Sequence, residues 1–355
     1  MIASEPLANS VEHSQSKPLL HRLFSHVYVE RAARKYIDCE SILNKFKRAE
    51  IIEIAHYQEL FNRNKQDWRL QKSAPKLILA VKRDGFLHKC SAIAPNFGHK
   101  HFYYNTIMQN CLYDCDYCYL QGMYPSANVV VFVNSEDFFS ATEAKCREHP
   151  MYLCISYDTD LLAFEGIFPF VARWIEFCRN QQNLLIEVRT KSANFATIAS
   201  CTPTENVILA WTLSPQEVVE RYEPGTPSLK SRLAAVRSAI DAGWSVRLCF
   251  DPVLDISGWR DIYVEFIRYV FSELGGRPVR DVAIGTFRMN RGYLKRIKRQ
   301  RQDSDILYKP FEINAEVAEY PEQLKGEMLA VLRDTVLGDA MQQHLSHDQV
   351  AVIDG

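Results

Sequence analysis

The sequence predicts an α/β fold, a partial (βα)6 TIM-type barrel with a small N-terminal α/β subdomain. Three observations predict it. Short apolar runs alternate with amphipathic stretches from about residue 100 to residue 290, as parallel βα units require. The 355 residues suffice for one large domain or two ordinary ones. A cysteine-bearing loop directly follows the first strand of that alternating region, and barrel folds carry their chemistry on such loops.

Composition narrows the class. Hydrophobic residues make up 47% and charged residues 24%, ordinary globular material. A formal net charge of −1 recruits neither nucleic acid nor membrane, so any basic surface must be local. The ten cysteines are scattered, and Met1 to Lys17 is polar without an apolar h-region. A reducing cytoplasm is therefore expected rather than a disulfide framework. No apolar run approaches the ~20 residues of a membrane span, so no membrane partner is expected.

In chain order, residues 1–23 read as a polar leader. Residues 24–98 form the N-terminal subdomain. Within it, His26-Val-Tyr-Val-Glu30 alternates like a strand. Ser41 to Arg48 has apolar positions at 42, 43 and 46 and predicts a short helix. Glu50 to Ala55 and Pro75 to Lys82 read as strands. Arg83 to His101 carries Gly, Pro and His and reads as a connecting loop, because His88, Cys90, His99 and His101 match no zinc-ligand spacing. The barrel spans 99–295. Its strands are expected at 101–107, 129–133, 151–155, 184–188, 207–212, 245–250 and 281–285. Its helices are expected at 135–147, 161–179, 193–199, 228–242 and 259–274. Residues 296–355 form a C-terminal extension.

In such a barrel, residues just past each strand face one cavity. The prediction names Cys111–Cys118, Ser156–Asp160, Thr190 and Lys191, Thr212–Ser214, Asp251 and Pro252, and Arg288–Asn290. Asp158 and Asp160 suit helix caps equally well. Lys191 can neutralise a carboxylate ligand at the barrel mouth, or stand solvated.

The run Asn110-Cys-Leu-Tyr-Asp-Cys-Asp-Tyr-Cys-Tyr-Leu-Gln121 has a C-x3-C-x2-C pattern. Three thiolates this close converge if the backbone curls around a metal centre. A structural zinc ion wants four protein ligands, commonly from C-x2-C pairs, and no second pair lies nearby. A [4Fe–4S] cluster with three protein ligands keeps one iron open for a small molecule. Zinc remains the alternative.

The residues around this motif resemble the spore photoproduct lyase family of radical S-adenosylmethionine enzymes. Cys115-Asp-Tyr-Cys-Tyr-Leu-Gln121 is similar to the family's C-x-Y-C-Y-L-Q, and Arg221-Tyr-Glu-Pro-Gly-Thr-Pro-Ser-Leu-Lys-Ser-Arg232 to its F-E-P-G-T-x-x-L-x-x-R segment. Val27-Tyr-Val-Glu30, Val131-Phe-Val-Asn134 and Arg189-Thr-Lys191 resemble further family segments. The likeness runs from about residue 24 to 295. It implies that Cys111, Cys115 and Cys118 ligate the cluster and that the open iron takes S-adenosylmethionine. It implies that Lys191 and Thr212 contact the nucleoside, with Ser156 beside them. It also implies a 5′-deoxyadenosyl radical that takes hydrogen from C6 of one thymine in a crosslinked pair. The methylene bridge then breaks and two thymines return. Tyr117 and Tyr119 would relay the radical back to the cofactor. The implied partners are DNA carrying a thymine photolesion and an electron donor such as flavodoxin or ferredoxin.

Two departures qualify the resemblance. The family's hydrogen-donating cysteine precedes a C-T-S-D run. Here Cys154-Ile-Ser-Tyr-Asp158 is one residue longer, so Cys154 is either the donor after a local bulge or a core cysteine. The family's C-terminal hairpin is rich in Arg, Tyr, Lys and Gly, whereas Phe311 to Lys325 is acidic. The basic run comes earlier, at Lys295-Arg-Ile-Lys-Arg-Gln-Arg301, with Arg288 and Arg291 ahead of it. Arg288, Arg291, Tyr293, Lys295, Arg296, Lys298 and Arg299 are the nucleic-acid candidates, and the alternative is a solvated helix face. Three functions fit: a lyase reversing a UV thymine lesion, a related radical enzyme acting on another lesion or a non-DNA substrate, and a non-catalytic iron–sulfur or zinc protein that binds nucleic acid.

Overall fold

A computed structural model describes residues 23–91, 93–340 and 346–353. Apart from residue 23, the leader expected over 1–23 lies outside the described residues. The strands are β1 (His26–Glu30), β2 (Glu50–Ile54), β3 (Leu77–Ala80), β4 (His88–Lys89), β5 (Phe102–Tyr104), β6 (Met108–Gln109), β7 (Val129–Phe132), β8 (Met151–Cys154), β9 (Leu184–Thr190), β10 (Val207–Thr212), β11 (Ser245–Val253), β12 (Asp281–Thr286), β13 (Arg288–Asn290), β14 (Glu312–Asn314), β15 (Val317–Glu319) and β16 (Val350–Ile353). An eight-stranded sheet runs β16-β12-β11-β10-β9-β8-β5-β4. It is parallel except for β4, which pairs antiparallel with β5. A five-stranded sheet runs β2-β1-β3-β7-β6. The segment from β5 to β6 joins the two sheets. The Asn105 amide donates to the Cys154 carbonyl in one, and the Phe132 amide to the Ile107 carbonyl in the other. The result is the curled half-barrel that the alternation predicted.

The helices follow from local chemistry. Trp259–Leu274 buries Tyr263, Phe266, Ile267, Val270, Phe271 and Leu274, the stripe of a core-facing helix. It ends at Gly275 with φ 58°, the left-handed cap that glycine adopts without a Cβ penalty. Ser228 caps Leu229–Asp241 by accepting from the Ser231 amide. The single helix expected over 161–179 is two, Leu161–Phe164 and Phe170–Arg179. Pro169 has no N–H to donate, so a helix can start after it but not run through it. The helix expected over 41–48 lies earlier, at Ile37–Leu43.

One hydrophobic cluster joins both sheets to their helices, from Val29 and Leu79 through Leu153 and Val188 to Trp211 and Ile284. Strands bury both faces, so alternation is weak and apolar runs dominate. Among the described residues no helix is long and apolar enough to cross a membrane.

Candidate active site

The three cysteines of the loop after β6 line one cavity. Tertiary contacts set the backbone that carries them. The Asp114 and Asp116 amides donate to the Pro224 and Tyr222 carbonyls at 3.0 and 2.8 Å. Gln121 Nε2 donates to the Cys115 carbonyl at 2.8 Å, and Lys72 Nζ donates to the Cys111 carbonyl. Buried Arg301 grips the loop from far along the chain. It donates to Gln121 Oε1 at 2.9 Å, to Asp116 Oδ1 at 3.1 Å and to Asp114. Burial pushes all three thiols up, and charge works against it: Lys72 at Cys111, Lys191 at Cys115, and both lysines at Cys118. These two ammonium groups would offset the negative charge of a thiolate-bound cluster, so the residues fit one. Among the described residues no three His, Cys, Asp or Glu side chains converge as closely as a single ion requires. A cubane cluster takes each thiolate on a different iron and asks for wider spacing.

The cavity has a volume of about 300 Å³, and each of the six residue groups named from the sequence contributes to its wall, while the strand at 129–133 does not. Ser156, Tyr157, Thr159 and Asp160 come from the loop after β8, and Thr190 and Lys191 from the end of β9. Thr212 closes β10, Asp251 and Pro252 lie in β11, and Arg288 and Met289 in β13. Leu213, Ser214, Asp158 and Asn290 are not on the wall. Asp160 caps Leu161–Phe164 through the Ala163 amide at 3.1 Å, and also accepts from Thr190 Oγ1 and the Lys191 amide, both at 2.7 Å. Asp158 instead accepts from Thr106 Oγ1 at 2.6 Å. Ser156 uses its hydroxyl as a staple, donating to the Arg189 carbonyl at 2.9 Å and accepting from the Arg189 amide at 2.7 Å.

Below this mouth the inner face of the sheet carries a chain of ion pairs. Arg247 donates to Glu187 at 2.7 Å and pairs with Asp281. Arg189 links Glu187 at 3.0 Å to Asp251 at 3.4 Å. Arg288 then grips Asp251 at 2.7 and 3.2 Å and donates to the Ile93 carbonyl at 3.1 Å. The structure therefore separates Arg288 from the basic strip it was grouped with. Its side chain is only 9% exposed, because the Asp251 carboxylate draws it into the cavity wall.

Tyr117 and Tyr119 both line the cavity, in different settings. Tyr117 donates to Glu223, a fully buried carboxylate that also accepts from Ser214 Oγ at 2.9 Å and from Arg232. Lys191 Nζ stands 3.7 Å from Glu223 and 4.8 Å from the centre of the Tyr117 ring. Burial opposes ionisation of Glu223, but Lys191 and Arg232 outweigh it and hold the carboxyl down at about 2. Glu223 is the Glu of the Glu-Pro-Gly-Thr segment. It is quoted in the sequence only as part of a motif, and a lone acid after a helix gives no sign of a site role. Tyr119 donates to the Tyr157 carbonyl.

Cys154 ends β8 on the inner face, opposite Glu187 on β9 and Tyr104 on β5. The residue surplus before Asp158 falls in the turn, so no bulge rotates the thiol. Ile155 is buried in the apolar core. Cys154 is 4% exposed and is not among the wall residues. Burial first, then Glu187, pushes its thiol up to about 12.

The basic run forms the helix Arg291–Gln300, capped by Asn290 through the Gly292 amide at 2.9 Å. Leu294 and Ile297 face inward, while Arg291, Lys295, Arg296 and Arg299 are exposed. Arg296 lies 5.2 Å over the Tyr293 ring, and Lys298 lies over Tyr308 and Phe311. The helix packs on Leu120–Met123, which follows the cysteine loop. There a Cβ on Gly122 would stand 2.4 Å from Tyr293 Cβ. The acidic stretch forms the hairpin β14–β15 beside β13, and the Glu316 carbonyl accepts from the Arg291 amide at 2.8 Å.

The spore photoproduct lyase family model matches residues 23–304. A spore photoproduct lyase from a Geobacillus species is 23% identical over 48% of this chain, a match that spans about half of that relative, 52%. One from Clostridium acetobutylicum is 20% identical over 73% of this chain and 77% of its own length. A solved spore photoproduct lyase complexed with dinucleoside spore photoproduct matches with TM-score 0.78 and 19% identity, covering 93% of this chain and 98% of its own. Another solved form carries AdoMet and the dinucleoside together, with TM-score 0.77 and 19% identity over the same shares. At this identity the structural likeness shows the fold.

Proposed function

The chain belongs to the spore photoproduct lyase family, and on that premise we propose that it reverses a methylene-bridged thymine lesion in DNA by radical S-adenosylmethionine chemistry. One observation carries the reading. The cysteine loop, Lys191, Thr212 and the two tyrosines of the motif open onto one cavity at the strand ends of a half-barrel. Cys111, Cys115 and Cys118 would hold a [4Fe–4S] cluster, and Lys191 would meet the carboxylate of S-adenosylmethionine. When bound, these groups supply the one-electron chemistry that removes a hydrogen atom from an unreactive carbon.

The chain's own residues do the rest. Lys191 is held at the cavity by Glu223, which balances one cation with one anion and keeps the ammonium in place. Thr212 stays fixed because Arg232 donates to its carbonyl at 3.2 Å. The Asp251–Arg288 pair fixes a charged, hydrogen-bonded stretch of the same cavity wall. Arg291, Lys295, Arg296 and Arg299 would contact phosphates flanking the lesion, with Tyr293 at the cavity end of the helix available for stacking. A cluster held by these cysteines would need an electron from a small donor such as flavodoxin or ferredoxin, and a reducing cytoplasm would suit it. The same chemistry on another lesion or a non-DNA substrate is favoured by one feature, the acidic hairpin beside the basic helix.

The test is anaerobic reconstitution, then incubation with S-adenosylmethionine, a reductant and a dinucleotide carrying the lesion. Release of 5′-deoxyadenosine together with unlinked thymidines, read by mass spectrometry, is the expected result. Deoxyadenosine without thymidine release points to another substrate. A colourless protein holding one zinc ion overturns the reading.

A further inference from the structure

An electron must reach the cysteine loop by a route other than the cavity, because S-adenosylmethionine and the lesion would fill that side. The three cysteines have a second flank. They also line a smaller space whose wall, outside residues 111–121, is made by Trp68 and Lys72, neither of which lines the cavity. Both belong to the helix Trp68–Ser73, which Asp67 caps by accepting from the Leu70 amide at 2.9 Å. Trp68 is buried against Leu120, and Cys111 and Cys118 pack on the same cluster. Lys72 donates to the Cys111 carbonyl. Four residues apart, Trp68 and Lys72 share one face of the helix, and Leu70, two residues from each, lies on the opposite one.

That opposite face meets solvent. Leu70 is 69% exposed. Residues 61–73 carry four cations, Arg63, Lys65, Arg69 and Lys72, against one anion, Asp67, in a chain whose net charge is −1. Arg69 pairs with Asp303 at 3.2 Å, while Arg63 and Lys65 are exposed in the connection before the helix. Gln71 Nε2 ties this connection to the helix by donating to Gln66 Oε1 at 2.6 Å, and Gln66 Nε2 donates to the Arg63 carbonyl at 2.8 Å. An apolar point within a basic rim suits a negatively charged protein, which the field draws in before contact is made.

We propose that this helix is the docking surface for the electron donor, an acidic one-electron carrier protein of the flavodoxin type, an inference that rests on the cluster-based function above. Electron transfer falls off steeply with distance, and here one helix, roughly 10 Å across, separates a docked carrier from the cysteines. The carrier loses one electron and is oxidised, the cluster held by Cys111, Cys115 and Cys118 gains it and is reduced, and no proton or heavier atom moves. Electron-transfer encounters bury little surface, so one exposed leucine with a cationic rim is enough. DNA fits this face poorly, because a lesion bound here lies on the far flank of the cysteines from the cavity that must receive it.

The test uses the reconstituted enzyme, a purified bacterial flavodoxin and two variants, Leu70→Glu and the double substitution Arg63→Glu with Lys65→Glu. All three side chains are exposed, so the fold is retained. Calorimetric titration at low salt should show flavodoxin affinity at least about tenfold weaker in both variants, with a shallower salt dependence in the charge-reversed one. Arg296→Glu, on the other basic surface, should bind flavodoxin as wild type does. In anaerobic stopped flow, bleaching of the cluster absorbance by fully reduced flavodoxin should slow at least about tenfold in both variants. Dithionite, a small reductant that needs no docking surface, should give wild-type yields of 5′-deoxyadenosine in both. Wild-type flavodoxin affinity in Leu70→Glu, loss of affinity in Arg296→Glu instead, or no binding by the wild type overturns the inference. So does undamaged DNA that displaces flavodoxin and itself binds more weakly to the charge-reversed variant. In each of these cases, thymidine release driven by dithionite leaves the function standing. Flavodoxin binding and cluster bleaching without dithionite-driven thymidine release overturn the lesion-reversing function and leave the docking surface standing.

Discussion

At the residue scale, two buried carboxylates near the cavity are pushed in opposite directions. Glu223 is kept ionised by two buried cations, which orient Tyr117 and Lys191 around it. Asp158, in the turn after β8, meets burial with only Lys82 acting on it as a cation, and no ion pair among the described residues. Burial pushes its carboxyl up to about 6, against the pull of Thr106 and Tyr124. The sign of the linkage follows. The folded chain holds a proton on Asp158 that the unfolded chain releases near its ordinary 3.8. Stability is therefore lost as pH rises from about 4 to 6, and the penalty is complete above that window. Asp158→Asn removes the charge while its oxygen still accepts from Thr106. It should stabilise the protein by about 3 kcal/mol near neutral pH and by only about 0.5 kcal/mol near pH 4. Urea unfolding at the two pH values reads the difference, and an equal effect at both would show that the charge is not the cause.

At the element scale, the helix Arg291–Gln300 depends on Gly122. A methyl group there would run into the Cα and Cβ of Tyr293, at 2.5 and 2.4 Å, and backbone cannot give way as a flexible side chain can. Gly122→Ala should cost roughly 1–3 kcal/mol in thermal unfolding. The displaced helix should also weaken DNA binding, which fluorescence anisotropy would detect. The exposed cations make a separate prediction. Replacing Arg299 by Ala should lower the slope of log affinity against log salt by about one, equally for lesion and undamaged DNA. An unchanged slope would return the strip to a solvated helix face. Which of these elements could be read from sequence follows from where their stabilisation lies. Parallel strands buried on both faces appear as apolar runs, and their C-terminal ends share one edge, so the wall residues from Ser156 to Met289 were legible. β7 was legible as a strand, but not its partner β3, because a run of valines fits any central position. β14 and β15 were not legible, since three-residue acidic strands carry no pattern. Glu223 and Arg301 were missed for a different reason: each reaches the site by tertiary contact from far along the chain.

At the scale of the whole molecule, the cysteine loop is where the two sheets and the C-terminal region meet. Lys72, ahead of β3, holds its start. Tyr222 and Pro224, after β10, hold its middle. Arg301, after the basic helix, holds Asp114, Asp116 and Gln121. The loop is thus held by protein contacts from three parts of the chain, whereas small metal domains depend on their ion alone. Arg301 is the most exacting of these supports. Its planar fork serves three partners at once, and lysine has no such geometry. Removing it leaves two carboxylates two residues apart in a partly buried loop with no cation between them, and the loop should open. Arg301→Ala should therefore lose stability by about 3–5 kcal/mol, the usual cost of breaking a buried pair. Its reconstituted cluster should surrender iron to a chelator roughly tenfold faster or more, as loss of support behind metal ligands commonly causes. Arg301→Lys should recover part of the stability but little of the iron retention, because one ammonium cannot orient both aspartates and Gln121. Iron content against time in chelator, measured beside circular dichroism, separates the two effects. Wild-type iron retention in Arg301→Ala would mean that the cysteines alone shape the loop.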